Sequence, residues 1–340
     1  MPIATPQQYR DMIDAARAGE YAYPAVNVSS SETLNAALRG FAEARSDGIV
    51  QITTSAAGYL SGPAEDMAAG AQAFAEFAHV VAARSPVLIA LHTDHATAER
   101  IDDFLRPLLR ESRRRRERDG QPLFNSHMFD GSELPLADNL RISAELLGEA
   151  HDIDVLLELE IGTVGGEEDG INHEHVARER LYTTPEDALQ VAETLGMGER
   201  GRYLLAATFG NVHGRYAPGN VRLRPELLGE LQEAVADRPG DGRKFDFVFH
   251  GGSGSTIEEI RAAVANGVVK MNVDTDMQYA FTHAVEEHLA LRSTGTSTDQ
   301  RGVDKRVYDP RTWGRKAELA MAARVVEASR QLGSADRSIS

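Results

Sequence analysis

Short apolar runs recur along the chain, and after each one the apolar residues fall every third or fourth position. The runs are 22–28 (AYPAVNV), 48–53 (GIVQIT), 86–92 (PVLIALH), 123–129 (LFNSHMF), 154–161 (DVLLELEI), 203–209 (YLLAATF), 245–250 (FDFVFH) and 267–273 (GVVKMNV). All eight are rich in β-formers and mostly apolar on successive positions, as parallel strands covered on both faces must be. Segments between them, such as SETLNAALRGFAEARSD and TIEEIRAAVANG, have helical spacing. Thr256 follows a Gly-rich turn and is placed to cap the second of these, with Glu258 and Glu259 in its first turn.

Eight strand–helix units predict the α/β class and a (β/α)8 TIM barrel. No GxGxxG follows the first run, which disfavours an open doubly wound sheet. Two inserts stand out. Residues 162–180, rich in Gly and acids, predict an extended and mobile loop after the fifth strand. Residues of about 292–340 predict extra C-terminal helices, all within one domain spanning 1–340.

A barrel enzyme carries its reactive side chains at the C-terminal ends of its strands. Those ends read Asn27, Thr53, His92-Thr93-Asp94-His95, Asp130, Glu158 and Glu160, Asn211 and His213, His250 to Ser255, and Asn272, Asp274 and Thr275. The strand N-termini are expected to carry nothing comparable. His95, His213 and His250, at the ends of the third, sixth and seventh runs, converge if the barrel closes. Three neutral imidazoles leave an open fourth position on zinc, the arrangement of a catalytic site. A single such histidine is more often a cap or a core residue, and His92 and His127 are read as structural. HGGSGS at 250–255 stands between a strand and a helix, where glycines admit a phosphate and the helix N-terminus offers N–H donors. Asp94 can shuttle a proton beside a Lewis acid, or orient a ligand. GGEEDG at 165–170 is either a loop that swings a base inward or a solvated acidic turn.

Composition narrows the partners. The 340 residues are 42% hydrophobic and 26% charged, as in ordinary globular proteins. Lys+Arg less Asp+Glu is 36 − 52 = −16, which argues against nucleic acid, and RRRR at 113–116 is read as an exposed helix end. No run approaches the length of a membrane span, and the N-terminus lacks a signal-peptide profile. Zero Cys leaves only His, Asp and Glu as metal ligands and is compatible with a cytoplasmic protein.

HTDH (92–95), GGEEDG (165–170), GNVHG (210–214), VFHGGSGS (248–255) and KMNVDTDMQYAF (270–281) together resemble the class II, zinc-dependent fructose-bisphosphate aldolases. The likeness runs from PAVN near residue 24 to YDPR at 308–311. It implies reversible cleavage of fructose 1,6-bisphosphate to dihydroxyacetone phosphate and glyceraldehyde 3-phosphate through a zinc-stabilised enediolate. It also implies a role in glycolysis and gluconeogenesis. By that resemblance His95, His213 and His250 hold Zn2+, with Asp130 and Glu160 at an alternative metal position. Asp94 exchanges a proton with the C4 oxygen, Glu168 handles the proton on the nucleophilic carbon, and Asn272 holds the enediolate. Gly251, Ser253, Asp274 and Thr275 bind the dihydroxyacetone-phosphate end, and Asn27 and Thr53 lie on the substrate. Carbonyls near Val212, Gly214, Gly251 and Ser253 hold a monovalent cation, Na+ or K+. Arg311 binds the far phosphate from a neighbouring subunit, so the resemblance implies a homodimer or larger homo-oligomer.

One stretch departs from the family. Where the family has Ser followed by Asn/Thr-Gly-Gly, this chain has Thr53-Thr54-Ser55-Ala56-Ala57. That leaves open an aldolase with a different acceptor, such as a tagatose-bisphosphate enzyme. Two other readings compete: a Schiff-base aldolase using Lys270, which shares the parity of Asn272 in the eighth run, and a non-catalytic phosphosugar-binding scaffold.

Overall fold

The computed structural model describes residues 2–162, 164–168, 171–172, 181–213, 222–236, 244–252, 254–293 and 309–340. At 165–168, 171–172, 212–213 and 291–293 it describes the backbone only.

Eight parallel strands close into a barrel: β1 (Tyr23–Asn27), β2 (Gly48–Thr53), β3 (Ile89–Thr97), β4 (Ser126–Asp130), β5 (Leu156–Ile161), β8 (Tyr203–Ala207), β10 (Phe247–Phe249) and β11 (Val268–Val273). Each pairs with its sequence neighbour in the barrel, and β11 closes on β1 with Ala25 opposite Asn272. The order of the eight apolar runs is therefore the order of the staves. Helices cover the outside, and two layers of apolar side chains form. One lies between strands and helices, around Phe41, Phe104, Phe129 and Phe209. The other fills the lower barrel, where Ala25, Ile49, Ala90, Leu156, Leu204 and Val248 meet Tyr9, Met12 and Ile13 of α1 (Pro6–Gly19). Thr5 and Gln8 form a capping box that starts α1, so this helix plugs the bottom of the barrel with its apolar face.

Strand β3 differs from its predicted extent. It runs on through Asp94 and His95 to Thr97, and its register with β4 slips between Thr93 and Ala96, where Asp94 and His95 together face Met128. His95 takes φ +47°, a left-handed conformation that is costly for a residue with a Cβ. The bulge turns two successive reactive side chains toward one side of the strand end, which regular alternation forbids.

Part of the insert after β5 is ordered as strand. β6 (Gly165–Glu168) pairs antiparallel with β7 (Ile171–Asn172) and parallel with β9 (Val212–His213), placing Gly166 opposite His213. Residues 173–180 of the expected mobile loop, with His173 and His175, lie outside the described residues. Past the barrel, α10 (Thr275–Ser293) and α11 (Pro310–Gln331) supply the expected C-terminal helices, and α11 packs on α2 (Ser31–Ala44) and α10. Gly40 permits that approach, since a Cβ there would stand 2.5 Å from Val325 Cβ. The RRRR run lies on α5 (Arg106–Asp119), where Arg115 pairs with Glu76 and Arg116 with Asp154. Among the described residues no helix is long and apolar enough to cross a membrane.

The expectation that strand N-termini carry nothing comparable is corrected. Asp47, Asn125 and Asp246 are buried there. Asp47 accepts from Leu88 N at 2.7 Å, Asn125 from Leu91 N at 2.8 Å, and Asp246 pairs with Arg17 and Arg202. These groups tie backbone and α1 to the barrel floor. They read as stability chemistry, the usual role of that end of the fold.

Candidate metal centre

Two of the three candidate imidazoles meet. His95 Nε2 lies 3.1 Å from His250 Nδ1, and the rings stand nearly perpendicular at 86°. Each ring is held from behind by a carboxylate. His95 Nδ1 is 3.0 Å from Asp130 Oδ2, and His250 Nε2 is 2.8 Å from Glu158 Oε1. A carboxylate accepts only, so the rear nitrogen of each ring must carry the proton. In the neutral rings the two nitrogens that face one another are then lone pairs. Burial disfavours the charged form of His250, pushing its pKa down, although the bond to Glu158 opposes this. Two converging lone pairs with carboxylates behind them are the donor set of a carboxylate–histidine metal site. The residues present therefore fit a divalent ion. Ligand atoms of Asp94, His95 and His250 lie within 4.8 Å of one another, and so do those of His95, Asp130 and Glu160, the last two being the residues named for the alternative metal position. The His213 side chain lies outside the described residues; its backbone sits in β9.

The carboxylates are held ionised by their surroundings. Burial works against the charged form of Asp130, but the bonds from His95 and from Ser132 overcome it and hold the group far below the usual range. Glu158 follows the same rule. Its complete burial is outweighed by the Lys270 ammonium and by the hydrogen bond from His250, and its pKa falls well below normal.

Below the two histidines the barrel interior is polar. Asn272 Nδ2 reaches Asp94 Oδ1 at 3.2 Å and His250 Nδ1 at 3.2 Å. Asp94 also accepts from Asn27 at 3.1 Å and from Gln51 at 2.7 Å. Lys270 Nζ is 2.8 Å from Glu158 Oε2 and 2.8 Å from Asn272 Oδ1. His92, completely buried, bonds Ser126 Oγ at 2.8 Å, and burial followed by the Lys270 charge keeps it neutral. Sequence reasoning placed Glu158 at a strand end without a role and missed Gln51. The available signal was parity: Gln51, His92, Glu158 and Lys270 all occupy inward positions of their strands.

The Gly-rich turn expected to take a phosphate stands between β10 and a helix. Gly251 and Gly254 take left-handed φ of +63° and +91°, which few other residues adopt. Thr256 then caps α9 (Ile257–Ala265) in a capping box with Glu259. Ser253 lies outside the described residues, as do Gly214 and the side chains of Glu168 and Val212. Asn211 donates to His250 O at 2.9 Å and so ties the β8 end to this turn. Asp274 accepts from Gln278 Nε2 at 2.8 Å at the start of α10, which begins at Thr275. A cavity of about 210 Å³ opens beside them, lined by Asn27, Thr53, Ser55, Tyr59, Asp274 and Met321 among others. A larger hollow of about 460 Å³ lies around Asp246 on the opposite face, away from this chemistry. Thr53 lines the smaller of these cavities, and its hydroxyl also caps α3 (Thr54–Leu60), accepting from Ala56 N at 3.2 Å. Arg311 is not brought to the centre within this chain. It stands exposed at the start of α11, paired with Asp309 at 2.7 Å.

The Schiff-base alternative fails on geometry. A Schiff-base lysine must present a neutral nitrogen to its substrate. Lys270 has no exposed surface, and its nitrogen is committed to Glu158 and Asn272. The scaffold alternative predicts a lost ligand or acid, whereas His95, His250, Asp94 and Asn272 stand assembled.

Comparison with known proteins identifies the family and the fold. The family model described as fructose-bisphosphate aldolase class-II matches residues 7–337. The chain is 60% identical to the fructose-bisphosphate aldolase of Streptomyces galbus, covering 100% of both chains. It is 52% identical to that of Mycobacterium tuberculosis, covering 100% of this chain and 99% of the other. The crystal structure of fructose-bisphosphate aldolase from Campylobacter jejuni superimposes with a TM-score of 0.85 at 36% identity, covering 98% of this chain and 97% of that one. The chain belongs to the class II fructose-bisphosphate aldolase family.

Proposed function

We propose that this chain cleaves fructose 1,6-bisphosphate between C3 and C4 to dihydroxyacetone phosphate and glyceraldehyde 3-phosphate, and runs the reverse condensation. The observation that carries it is the pair of carboxylate-backed imidazoles, His95 with Asp130 and His250 with Glu158, beside a Gly-rich turn that leads into a helix N-terminus. His95 and His250, with His213, would hold Zn2+. When bound, the ion supplies the Lewis acid that makes a carbon next to a ketone acidic enough for a carboxylate base.

The remaining steps fall to side chains. Asn272 aims its amide N–H groups into the centre, where they oppose negative charge developing on a substrate oxygen. Asp94, now bonded by three amides, would exchange one of them for the C4 hydroxyl and take its proton during cleavage. Glu168 would return a proton to the nucleophilic carbon. Gly251, Ser253, Asp274 and Thr275, with the first N–H groups of α9, would bind one phosphate and fix orientation. Arg311, exposed and distant, would serve the other phosphate from a neighbouring copy of the chain. Carbonyls near Val212, Gly214, Gly251 and Ser253 would hold Na+ or K+. The chain is read as a single barrel domain over 1–340, working as a homodimer or larger assembly in the cytoplasm.

The experiment is direct. Zinc-replete protein incubated with fructose 1,6-bisphosphate should release both triose phosphates, and a chelator should stop release until zinc is restored. Zinc-replete protein that forms no triose phosphate, or stripped protein that keeps full turnover, overturns the reading.

A further inference from the structure

One buried ammonium touches both halves of this centre. Lys270 and Asn272 are two positions apart on β11, so both point into the barrel. Lys270 Nζ lies 2.8 Å from Glu158 Oε2 and 2.8 Å from Asn272 Oδ1, with no exposure to solvent. An ammonium can only donate. The Asn272 oxygen must therefore face Lys270, and its NH2 group must point away, toward Asp94 and His250. Without that cation an asparagine amide is free to reverse. Its oxygen would then face the Asp94 carboxylate and the developing negative charge, which is repulsive in a low-dielectric interior.

We propose that Lys270 is a positioning residue that locks the Asn272 amide with its donors toward the reacting oxygen, acting through Asn272 rather than through the metal. Glu158 completes the device. It neutralises the buried ammonium with one oxygen and holds His250 with the other. One carboxylate thus links the amide lock to the metal ligand, and removing a positive charge beside it gives no reason for zinc to bind more weakly. The inference rests on the proposed aldolase reaction for its kinetic readout only.

The test is a double-mutant cycle between Lys270→Met and Asn272→Ala, read as kcat and as zinc affinity by chelator competition. Lys270→Met should lower kcat about 10–100-fold while zinc binds no more weakly than in the wild type. In the Asn272→Ala background the same change should cost about threefold or less, because the residue it acts through is gone. Where Lys270→Met fails to fold, Lys270→Met with Glu158→Gln removes the unpaired buried charge, and the cycle is read against Glu158→Gln alone. Losses that add across the cycle, a kcat near that of the parent, or zinc affinity falling in step with activity each overturn the proposal. A readout independent of turnover separates this inference from the functional reading. The Asn272 side-chain NH2, identified by its absence in Asn272→Ala, should exchange slowly with solvent in the wild type and fast in the Lys270→Met form. Unchanged protection overturns the lock even if no aldolase activity is found.

Discussion

Nε2 of His95 and Nδ1 of His250 face one another at 3.1 Å, although 155 residues separate them in the chain. The bulge at Asp94–His95 and the left-handed turn at Gly251 both serve this meeting. His95 takes its left-handed φ of +47° with its ring bonded to Asp130, so the fold holds a costly backbone conformation at the residue that meets His250.

The carboxylate behind His95 should therefore govern metal binding. Asp130→Asn keeps the shape but removes the charge that fixes the ring and raises its basicity. Zinc affinity, measured by competition with a chelating dye, should fall about 10–100-fold. An unchanged affinity would mean that the ring is oriented by something else.

Acid should destabilise the protein through histidines that folding keeps neutral. His127 is completely buried against Phe124, with Thr93 Oγ1 on Nδ1 at 2.8 Å, and burial pushes its pKa down to about 3. The unfolded chain binds that proton below a pH of about 6.5, while the folded chain does so only near 3. Stability from this group is complete above the unfolded pKa and is lost as pH falls between the two. The slope there is about 1.4 kcal/mol per pH unit for one group. Denaturant titrations from pH 6 downward should show a His127→Gln variant losing stability less steeply by about that slope. Parallel slopes would contradict the assignment.

The two faces of the barrel should separate in mutagenesis. Asp246 is buried at the floor, bonded to Arg17 and to Arg202, far from the His95–His250 centre. Asp246→Asn removes the charge shared by two partly exposed arginines and turns one acceptor oxygen into a donor, and should lower unfolding free energy by about 1–3 kcal/mol. The kcat of the surviving folded protein should stay within about twofold of the wild type. A large fall in kcat at unchanged melting temperature would contradict the division.

Much of this was legible in the sequence, for identifiable reasons. Strands covered on both faces are apolar on both, so eight runs gave eight staves in order. Thr256 and Glu259 announced the start of α9 because caps are local. Strand-end histidines stood out because few residue types bind metals. What was not legible is pairing across the barrel. Nothing near Glu158 in the chain indicates Lys270, 112 residues on, as its partner. Gln51 looked like a strand residue until its bond to Asp94 was seen. The polar floor was missed because Asp47 sits just before the second run, while Asn125 and Asp246 are single polar positions inside otherwise apolar runs. The bulge that extends β3 was missed because a slip of register leaves no mark in composition.

Thr53 bears on which aldehyde is accepted. Its hydroxyl caps α3, and the residue lines the cavity. A panel of acceptor aldehydes with dihydroxyacetone phosphate should favour glyceraldehyde 3-phosphate over unphosphorylated aldehydes. Comparable rates with both would shift the assignment to another acceptor. Thr53→Val should cost about 1 kcal/mol of stability through the lost cap, seen as a lower melting temperature.

The measurement closest to the centre of the account is an anomalous difference map at the zinc edge from crystals of zinc-loaded protein. The account predicts one strong peak bridging His95 Nε2 and His250 Nδ1, with His213 as third ligand and nitrogen distances of about 2.0–2.1 Å. A peak elsewhere in the barrel, or none in protein that elemental analysis shows to contain zinc, would contradict it.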